Sequence, residues 1–130
     1  MSKVAAIIVS YNPDKNLLDS VNLLISQVEK IIIVDNGSIE EKRKDISSIK
    51  DIDNERIEII FNEENLGIAT ALNIGVREAL KQGFNWILTM DQDSKASKDM
   101  VEKMFEVYNN IDEKERKSIL SIFPNFVDER

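Results

Sequence analysis

The stretch that decides the fold is Val4-Ala5-Ala6-Ile7-Ile8-Val9-Ser10, which runs directly into Tyr11-Asn12-Pro13. A continuous β-rich apolar run of this length is typical of a strand covered on both faces, because a strand with one solvated face alternates apolar and polar residues. The polar asparagine and the proline then end the run. We therefore predict a buried strand over residues 4–10, of the kind found inside a parallel sheet.

Further strands follow along the chain and alternate with helices. Strands are predicted at residues 31–34, 57–61, 86–90 and 119–123, and a charged helix at 39–49. Helical spacing predicts three amphipathic helices, with inward residues Leu17, Leu18, Val21, Leu24, Ile25 and Val28, then Ile68, Ala71, Leu72, Val76, Ala79 and Leu80, then Met100, Val101, Met104, Phe105 and Tyr108. This alternation predicts an α/β fold, a doubly wound, mostly parallel sheet with helices on both faces.

Residues suited to helix ends flank two of these helices. Asn12 can cap the first helix and Pro13 can open it, because proline needs no amide partner in the first turn. Gly83 follows the helix that contains Ala79 and is expected to end it, since glycine readily adopts the left-handed conformation.

Composition limits the chemistry that the chain can perform. The 130 residues include 17 Lys and Arg against 24 Asp and Glu, a net charge of −7, and contain neither His nor Cys. Without these two residue types there is no thiol nucleophile, imidazole base, disulfide or Cys/His zinc site, so any bound metal is expected to be a hard cation held by carboxylates. The acidic balance argues against a nucleic-acid partner, because such binding relies on Lys and Arg at phosphates.

The apolar stretches are too short to cross a membrane. None approaches the ~20 apolar residues that a transmembrane helix requires, and the only positive charge near the first strand is Lys3, which does not fit a signal peptide. No repeat or flexible linker divides the sequence. We expect one domain, residues 1–130, in a cytoplasmic protein with no transmembrane segment.

Polar clusters follow each of the first four predicted strands. They are Tyr11-Asn12, Asp35-Asn36, residues 62–67 and Asp91-Gln92-Asp93. In an open parallel sheet, ligands bind beyond the carboxyl ends of the strands, at the point where strand order reverses. We therefore expect the four clusters to share one edge and to form the functional site.

Asp91-Gln92-Asp93 places two carboxylates close together at the end of a strand, a pattern suited to one Mg²⁺ or Mn²⁺ beside bound phosphates. A carboxylate ~4 Å from a phosphate oxygen repels it by about 4 kcal/mol at an effective dielectric near 20, so a phosphate site here requires a cation. The alternative is that Asp93 caps a turn or helix and that Asp91 is solvated.

The other clusters also allow two interpretations each. Asp35 can accept hydrogen bonds from a nucleobase or ribose, with Gly37 allowing close approach, or it can belong to an ordinary tight turn. Tyr11 can stack on a base or sugar, or pack over the edge of the sheet. Gly67 can admit a ligand to the free amides of a helix N-terminus, or form a simple turn.

Four blocks taken in order resemble a known family. They are Ile7-Ile8-Val9-Ser10-Tyr11-Asn12-Pro13, Ile33-Val34-Asp35-Asn36-Gly37-Ser38, Asn65-Leu66-Gly67-Ile68-Ala69 and Leu88-Thr89-Met90-Asp91-Gln92-Asp93-Ser94. The chain resembles the family-two glycosyltransferases with the GT-A fold, and among them it is most similar to bacterial rhamnosyltransferases. The resemblance extends to Pro124-Asn125-Phe126-Val127-Asp128, and the ordered set is more specific than any single block.

This resemblance implies a function and the residues that carry it. It implies inverting, metal-dependent transfer of a sugar, rhamnose in the most similar members, from a dTDP- or UDP-linked donor to a glycan or lipid-linked acceptor. The implied nucleotide-sugar contacts are Tyr11, Asn12, Asp35, Asn65, Gly67 and Asp91, and the implied ligands of Mg²⁺ or Mn²⁺ are Asp91 and Asp93. Relatives often act at the inner membrane face, so a peripheral position there is also implied.

The chain departs from the family pattern in two places. Many relatives carry Ala-Arg-Asn after the glycine, where this chain has Ala71-Leu72-Asn73, so one phosphate or base contact is missing. The catalytic base of the family lies well downstream of the Asp-x-Asp pair and is expected beyond residue 130. We therefore expect the donor-binding half of a longer transferase, truncated before the acceptor-binding part. The alternative is a fragment that binds sugar nucleotides and transfers nothing.

Two other classes of protein fit the sequence less well. A Mg²⁺-binding receiver domain needs an Asp after its third strand and a Lys after its fifth, where this chain has Phe61-Asn62 and Phe123-Pro124. A P-loop nucleotidase is excluded because the sequence has no Gly-x-x-x-x-Gly-Lys run.

Overall fold

The computed structural model describes residues 3–118. In chain order its elements are β1 (Val4–Ser10), α1 (Asn16–Leu24), β2 (Lys30–Asp35), α2 (Glu40–Ile49), β3 (Ile57–Phe61), α3 (Ile68–Lys81), β4 (Trp86–Asp91), α4 (Met100–Asn109) and α5 (Glu113–Arg116). A short 3₁₀ helix, Lys50–Ile52, links α2 to β3. The strand predicted at 119–123 lies outside the described residues.

The four described strands form one parallel sheet in the order β3-β2-β1-β4. At the carboxyl ends, Ser10 of β1 pairs with Asp35 of β2, and Val9 pairs with Asp91 of β4. The chain moves outward from β1 to β3 and then returns to the far side of β1, so strand order reverses between β1 and β4. The predicted α/β fold with a parallel sheet is confirmed, and the ligand edge of such a sheet lies at this reversal.

Both faces of the sheet are covered because both alternating sets of side chains in β1 are apolar. Ala6 and Ile8 belong to a core cluster that also contains residues of α1, α2 and α4. Ala5 and Ile7 belong to a second cluster, which α3 covers. All four of these side chains are 0% exposed. The continuous apolar run of β1 thus corresponds to a strand buried on both faces, as predicted.

Helix α3 rests on the sheet along a row of small residues. Ala71, Gly75 and Ala79, spaced four residues apart, are its buried positions. A Cβ atom added at Gly75 would lie 2.5 Å from Cγ2 of Ile7 and 3.1 Å from Cγ2 of Val34. The helix therefore comes close to the sheet only because position 75 has no side chain.

The neighbouring row on α3 differs from the sequence prediction at its two ends. This row contains Ile68, Leu72, Val76 and Leu80. Leu72 and Val76 are half-buried, but Ile68 is 70% exposed and Leu80 is 57% exposed, so the prediction that these two point inward is wrong. The reason is that the helix contacts the sheet along its small residues, which leaves the larger side chains beside the contact.

The ends of the helices were predicted with mixed success. Helix α1 begins at Asn16 and not at Pro13, and the side chain of Asn12 instead accepts a hydrogen bond from the amide of Ile39, just before α2. The expected role of Asn12 as the cap of α1 is therefore wrong. Gly83 has a φ of +91° and ends α3 as predicted, with its amide bonded to the carbonyl of Leu80. Over residues 3–118, no helix is both long and apolar enough to cross a bilayer.

Candidate functional site

A cavity of about 580 Å³ opens at the carboxyl edge of the sheet, next to the ends of the paired strands β1 and β4. Residues from the ends of β1, β2 and β4 and from the start of α3 surround it. They are Val9, Ser10, Tyr11, Asn36, Asn65, Ile68, Leu72, Thr89, Met90, Asp91, Gln92 and Ser94. The cavity therefore lies at the reversal of strand order, where the sequence predicted a shared site.

Asp35, the last residue of β2, is buried beside this cavity and does not line it. Its side chain is 0% exposed. Oδ1 accepts hydrogen bonds from the Ser10 hydroxyl at 2.9 Å and the Ser38 hydroxyl at 2.5 Å, and Oδ2 accepts one from the Ser38 amide at 2.9 Å. The carboxylate therefore joins the end of β1 to the turn after β2. Its predicted contact with a nucleoside stays a prediction.

Asn36 joins the end of β2 to the loop that precedes α3. Its side chain is 2% exposed. Nδ2 donates to Oδ1 of Asn65 and to the carbonyl of Gly67, both at 3.1 Å. Oδ1 accepts from the amide of Leu66 at 2.9 Å and from Nδ2 of Asn62 at 3.2 Å. Two donated and two accepted bonds use the capacity of the amide group, and they fix the loop against the turn.

Gly37 allows the same turn and loop to touch through their backbones. Its φ is +88°, which favours glycine. A Cβ at this position would lie 2.7 Å from the carbonyl carbon of Glu64 and 3.0 Å from the amide nitrogen of Asn65. Any side chain would push the loop away. The Asn-Gly sequence is therefore required for close approach as well as for the turn.

Asn12 connects the loop after β1 to the same turn. It is a non-glycine residue with positive φ, +43°, a conformation that asparagine tolerates better than most residues. Its amide donates to the hydroxyl of Ser38 at 2.8 Å. Since Ser38 also donates to Asp35, the ends of β1 and β2 form one hydrogen-bonded unit.

The end of β4 is tied to the loop after β1 by the middle residue of the Asp-x-Asp pair. Gln92 accepts a hydrogen bond from the Tyr11 amide at 2.9 Å, and its Nε2 lies 3.5 Å from the Tyr11 carbonyl. The buried Ser20 hydroxyl of α1 donates to the carbonyl of Ser94 at 2.5 Å. The amide of Ser94 in turn bonds to the carbonyl of Asp91 at 3.2 Å, which closes a turn. The backbone of this turn is therefore fixed.

The two carboxylates of that turn are exposed and have no internal partner. Within the part of the chain that the structure describes, neither Asp91 nor Asp93 forms a side-chain hydrogen bond or a salt bridge. Over residues 3–118, no group of three or more Asp, Glu, His or Cys residues converges. Two free carboxylates suit a hard divalent cation that takes its other ligands from phosphate oxygens and water, so the donor set fits Mg²⁺ or Mn²⁺.

The structure brings together three of the seven residues singled out from the sequence. Tyr11, Asn65 and Asp91 line the cavity. Asn12, Asp35, Gly67 and Asp93 lie next to lining residues in the chain but are not among them.

Sequence reasoning gave no separate role to several residues that do line the cavity. They include Ser10, Asn36, Ile68, Leu72 and Gln92. The usable signal was position: four of the five are adjacent to a residue already selected, and Leu72 lies one helical turn beyond Ile68. Asn36, the neighbour of Asp35, is the clearest case.

The chain matches a known protein family over most of its length. The family described as Glycosyl transferase family 2 matches residues 5–114. The dTDP-rhamnosyl transferase RfbF of Shigella flexneri is 33% identical over 110 residues, covering 79% of this chain and 33% of the relative. The Bacillus subtilis (strain 168) glycosyltransferase TuaG, whose name assigns it to teichuronic acid biosynthesis, is 35% identical over 106 residues, covering 79% of this chain and 40% of that protein. The chain thus spans about a third of the curated relatives it matches.

Solved structures share the fold. The mannosyltransferase PcManGT of Pyrobaculum calidifontis, in complex with GDP-Man and Mn²⁺, has a TM-score of 0.65 at 18% identity, covering 75% of this chain and 29% of that one. S. aureus TarS 1–349, in complex with UDP, has a TM-score of 0.66 at 18% identity, covering 82% of this chain and 31% of TarS. These neighbours are GT-A glycosyltransferases, so the predicted GT-A-like architecture is confirmed.

Proposed function

Because the chain belongs to glycosyl transferase family 2, we propose that it binds a nucleoside-diphosphate sugar and serves the transfer of that sugar to a glycan or lipid-linked acceptor. The observation that carries this proposal is the cavity at the reversal of strand order, which has the carboxylate of Asp91 at one side and the side-chain amides of Asn36 and Asn65 at the other. Rhamnose on a dTDP or UDP carrier is the proposed donor. The relative named as a dTDP-rhamnosyl transferase supports this choice.

We propose that residues 1–130 form the nucleotide-sugar-binding part of a GT-A glycosyltransferase domain. Tyr11, which is 48% exposed, offers its ring to the base or ribose. Asn65 offers its amide from the loop before α3. The other three predicted contacts do not line the cavity, and we propose that they hold the backbone around it. They are Asp35 and Asn12, through their hydrogen bonds, and Gly67, through its positive φ.

Asp91 and Asp93 are the proposed ligands of Mg²⁺ or Mn²⁺. A bound divalent ion supplies positive charge against the nucleoside diphosphate as it leaves the sugar. Asp91 lines the cavity and Asp93 follows it in the same turn, so both carboxylates lie on the side where the diphosphate is proposed to bind. An acceptor hydroxyl would attack the anomeric carbon from the opposite face, forming one glycosidic bond while the bond to the diphosphate breaks and the hydroxyl proton passes to a general base. This geometry inverts the anomeric centre.

Calorimetric titration of the chain with dTDP and with UDP, each in Mn²⁺ and in EDTA, tests the binding proposal. We expect binding that requires Mn²⁺ and that weakens by at least about tenfold in Asp91→Asn and in Asp93→Asn, because each change removes one anionic ligand. Asp51→Asn is the matched control, since Asp51 is an exposed aspartate in the short helix before β3, at the opposite edge of the sheet. Nucleotide binding that ignores both Mn²⁺ and the two substitutions would refute the assigned metal site.

The alternative, binding without transfer, requires a product assay. The chain is incubated with dTDP-rhamnose and Mn²⁺, with and without a lipid-linked acceptor, and the released dTDP is measured. Acceptor-dependent release supports transfer by this chain. Binding without release limits the chain to the donor-binding role.

A further inference from the structure

One wall of the cavity is apolar, although the cavity is proposed to bind a charged ligand. This wall consists of Ile68 and Leu72, which lie four residues apart on the first turns of α3 and so project from the same side of the helix. Leu72 is half-buried and packs against the second core cluster. Ile68 is 70% exposed and, within residues 3–118, belongs to neither core cluster. An aliphatic side chain held open at the edge of a cavity gains by contact with an apolar group of a ligand.

The charge around the cavity indicates which part of the ligand meets this wall. None of the lining residues is Lys or Arg, so no lining side chain neutralises a diphosphate directly. The free carboxylates Asp91 and Asp93, which are the proposed ligands of a cation, lie at the end of β4. The diphosphate is therefore expected at β4, and the wall on α3 is left for an uncharged part of the nucleotide.

The group next to this wall points to a nucleobase. Asn65 lines the cavity just before Ile68, and its Oδ1 already accepts hydrogen bonds from Asn36 and from the amide of Gly67. Its Nδ2 remains a donor, because no acceptor for it occurs among residues 3–118. An amide donor beside aliphatic side chains suits a pyrimidine, which presents carbonyl oxygens along one edge. Uracil and thymine share those oxygens and differ only in the 5-methyl group.

We propose that Ile68 and Leu72 contact the 5-methyl group of thymine and so make this cavity selective for thymine over uracil as the base of the bound nucleotide. The inference rests on the proposed function, because it assumes that a nucleoside diphosphate occupies the cavity. It adds the residues that discriminate between two bases, which carry the same charge and the same hydrogen-bonding groups.

The test compares dTDP with dUDP, which differ by the methyl group alone. Dissociation constants are measured by calorimetry in Mn²⁺. We expect dTDP to bind about fourfold more tightly, the factor that follows from burying one methyl group. Ile68→Ala should bring the ratio close to one by weakening dTDP and leaving dUDP nearly unchanged. Because Ile68 is exposed, this substitution is not expected to affect folding, and Leu80→Ala is the matched control, an exposed aliphatic residue on the same helix outside the cavity.

Three results would overturn the proposal in distinguishable ways. Equal binding of dTDP and dUDP to the unmodified chain would refute methyl selection while leaving the nucleotide site intact. An unchanged ratio in Ile68→Ala would show that another group reads the base. Binding of neither nucleotide, in Mn²⁺ or in EDTA, would refute the proposed function itself. A fourth comparison measures the dissociation constants of dTDP-rhamnose and dTDP-glucose. If Ile68→Ala changed their ratio and left the ratio of dTDP to dUDP unchanged, the wall would contact the sugar and not the base, and the proposal would be refuted.

Discussion

The ends of β2 and β4 meet at the same cavity, yet the two are built in opposite ways. At the end of β2, Asp35 and Asn36 are buried and their polar atoms are bonded to neighbouring residues. At the end of β4, Asp91 and Asp93 are exposed and their carboxylates have no partner within residues 3–118. In the sequence, both strands end in a polar motif that begins with Asp, so residue type alone does not show which of the two carboxylates is buried.

This difference in burial and bonding distinguishes residues that stabilise the fold from residues that are available to a ligand. A carboxylate whose oxygens are bonded inside the protein stabilises the fold, and its loss costs folding free energy. A carboxylate without a partner gains little from folding and is available to a cation. We therefore expect substitutions at the β2 end to act on stability and those at the β4 end to act on ligand affinity.

The largest expected effect is on the β2 side. Asp35→Ala removes the acceptor of two hydroxyl groups and one amide, all buried. Unsatisfied buried donors cost about 1–3 kcal/mol each, so we expect the free energy of unfolding to fall by about 3 kcal/mol or more. Urea denaturation measures this loss. Asp91→Ala is the matched control and should leave the urea midpoint unchanged.

A stable Asp35→Ala protein would contradict the comparison. If it unfolded at the same urea concentration as the unmodified chain and yet lost nucleotide affinity, then Asp35 would face the ligand, as the sequence alone predicted.

The second prediction uses two glycines with nearly the same backbone angle. Gly37 and Gly67 have φ values of +88° and +87°. A Cβ at Gly37 meets backbone atoms of the neighbouring loop, whereas a Cβ at Gly67 meets nothing within 4 Å. Gly67→Ala should cost only the conformational strain at φ +87° and ψ 158°, about 1–3 kcal/mol. Gly37→Ala should cost conformational strain plus displacement of the loop, which adds about 1–3 kcal/mol. Thermal or urea unfolding of the two variants measures the gap, and equal losses would mean that the loop moves freely.

The smallest expected effect concerns the link between the two sides. Gln92→Ala removes the hydrogen bonds that hold the backbone of Tyr11 against the β4 turn. One such bond contributes about 1 kcal/mol to stability, so we expect the free energy of unfolding to fall by no more than about 1 kcal/mol and nucleotide affinity in Mn²⁺ to fall by no more than about fivefold. Gln82→Ala is the matched control, because Gln82 is an exposed glutamine bonded to Glu58 and Glu78. A loss of stability as large as that of Asp35→Ala would place Gln92 with the structural residues.

The sequence was sufficient for the fold and for the edge of the sheet at which the cavity lies. The unbroken apolar run of β1 required cover on both faces, and the parallel sheet that follows from it brought four polar clusters to one edge. What the sequence did not determine is which neighbour in each cluster faces the ligand. Strand β2 was expected to end at Val34 but ends at Asp35, which pairs with Ser10. The carboxylate of Asp35 is therefore bonded to Ser10 and Ser38, whereas Asn36, which is also buried, lines the cavity.

The face of α3 was misjudged for a different physical reason. Periodicity marks large apolar residues as inward, and on that basis Ile68 and Leu80 were assigned to the core. The helix instead contacts the sheet through Ala71 and Ala79, which the pattern also marked as inward, and through Gly75, which has no side chain and so escapes such a pattern. The exposed Ile68 then borders the cavity. Only the distance between helix and sheet, which the sequence does not reveal, distinguishes the two arrangements.

The contact at Gly75 also gives α3 a mechanical role. A Cβ at Gly75 would meet Ile7 and Val34, so a larger side chain there would tilt or lift the helix. Ile68 lies seven residues away, about 10 Å along the helix axis. A tilt of only about 6° at Gly75 would displace Ile68 by about 1 Å. A change at Gly75, which does not line the cavity, would therefore shift a residue that does.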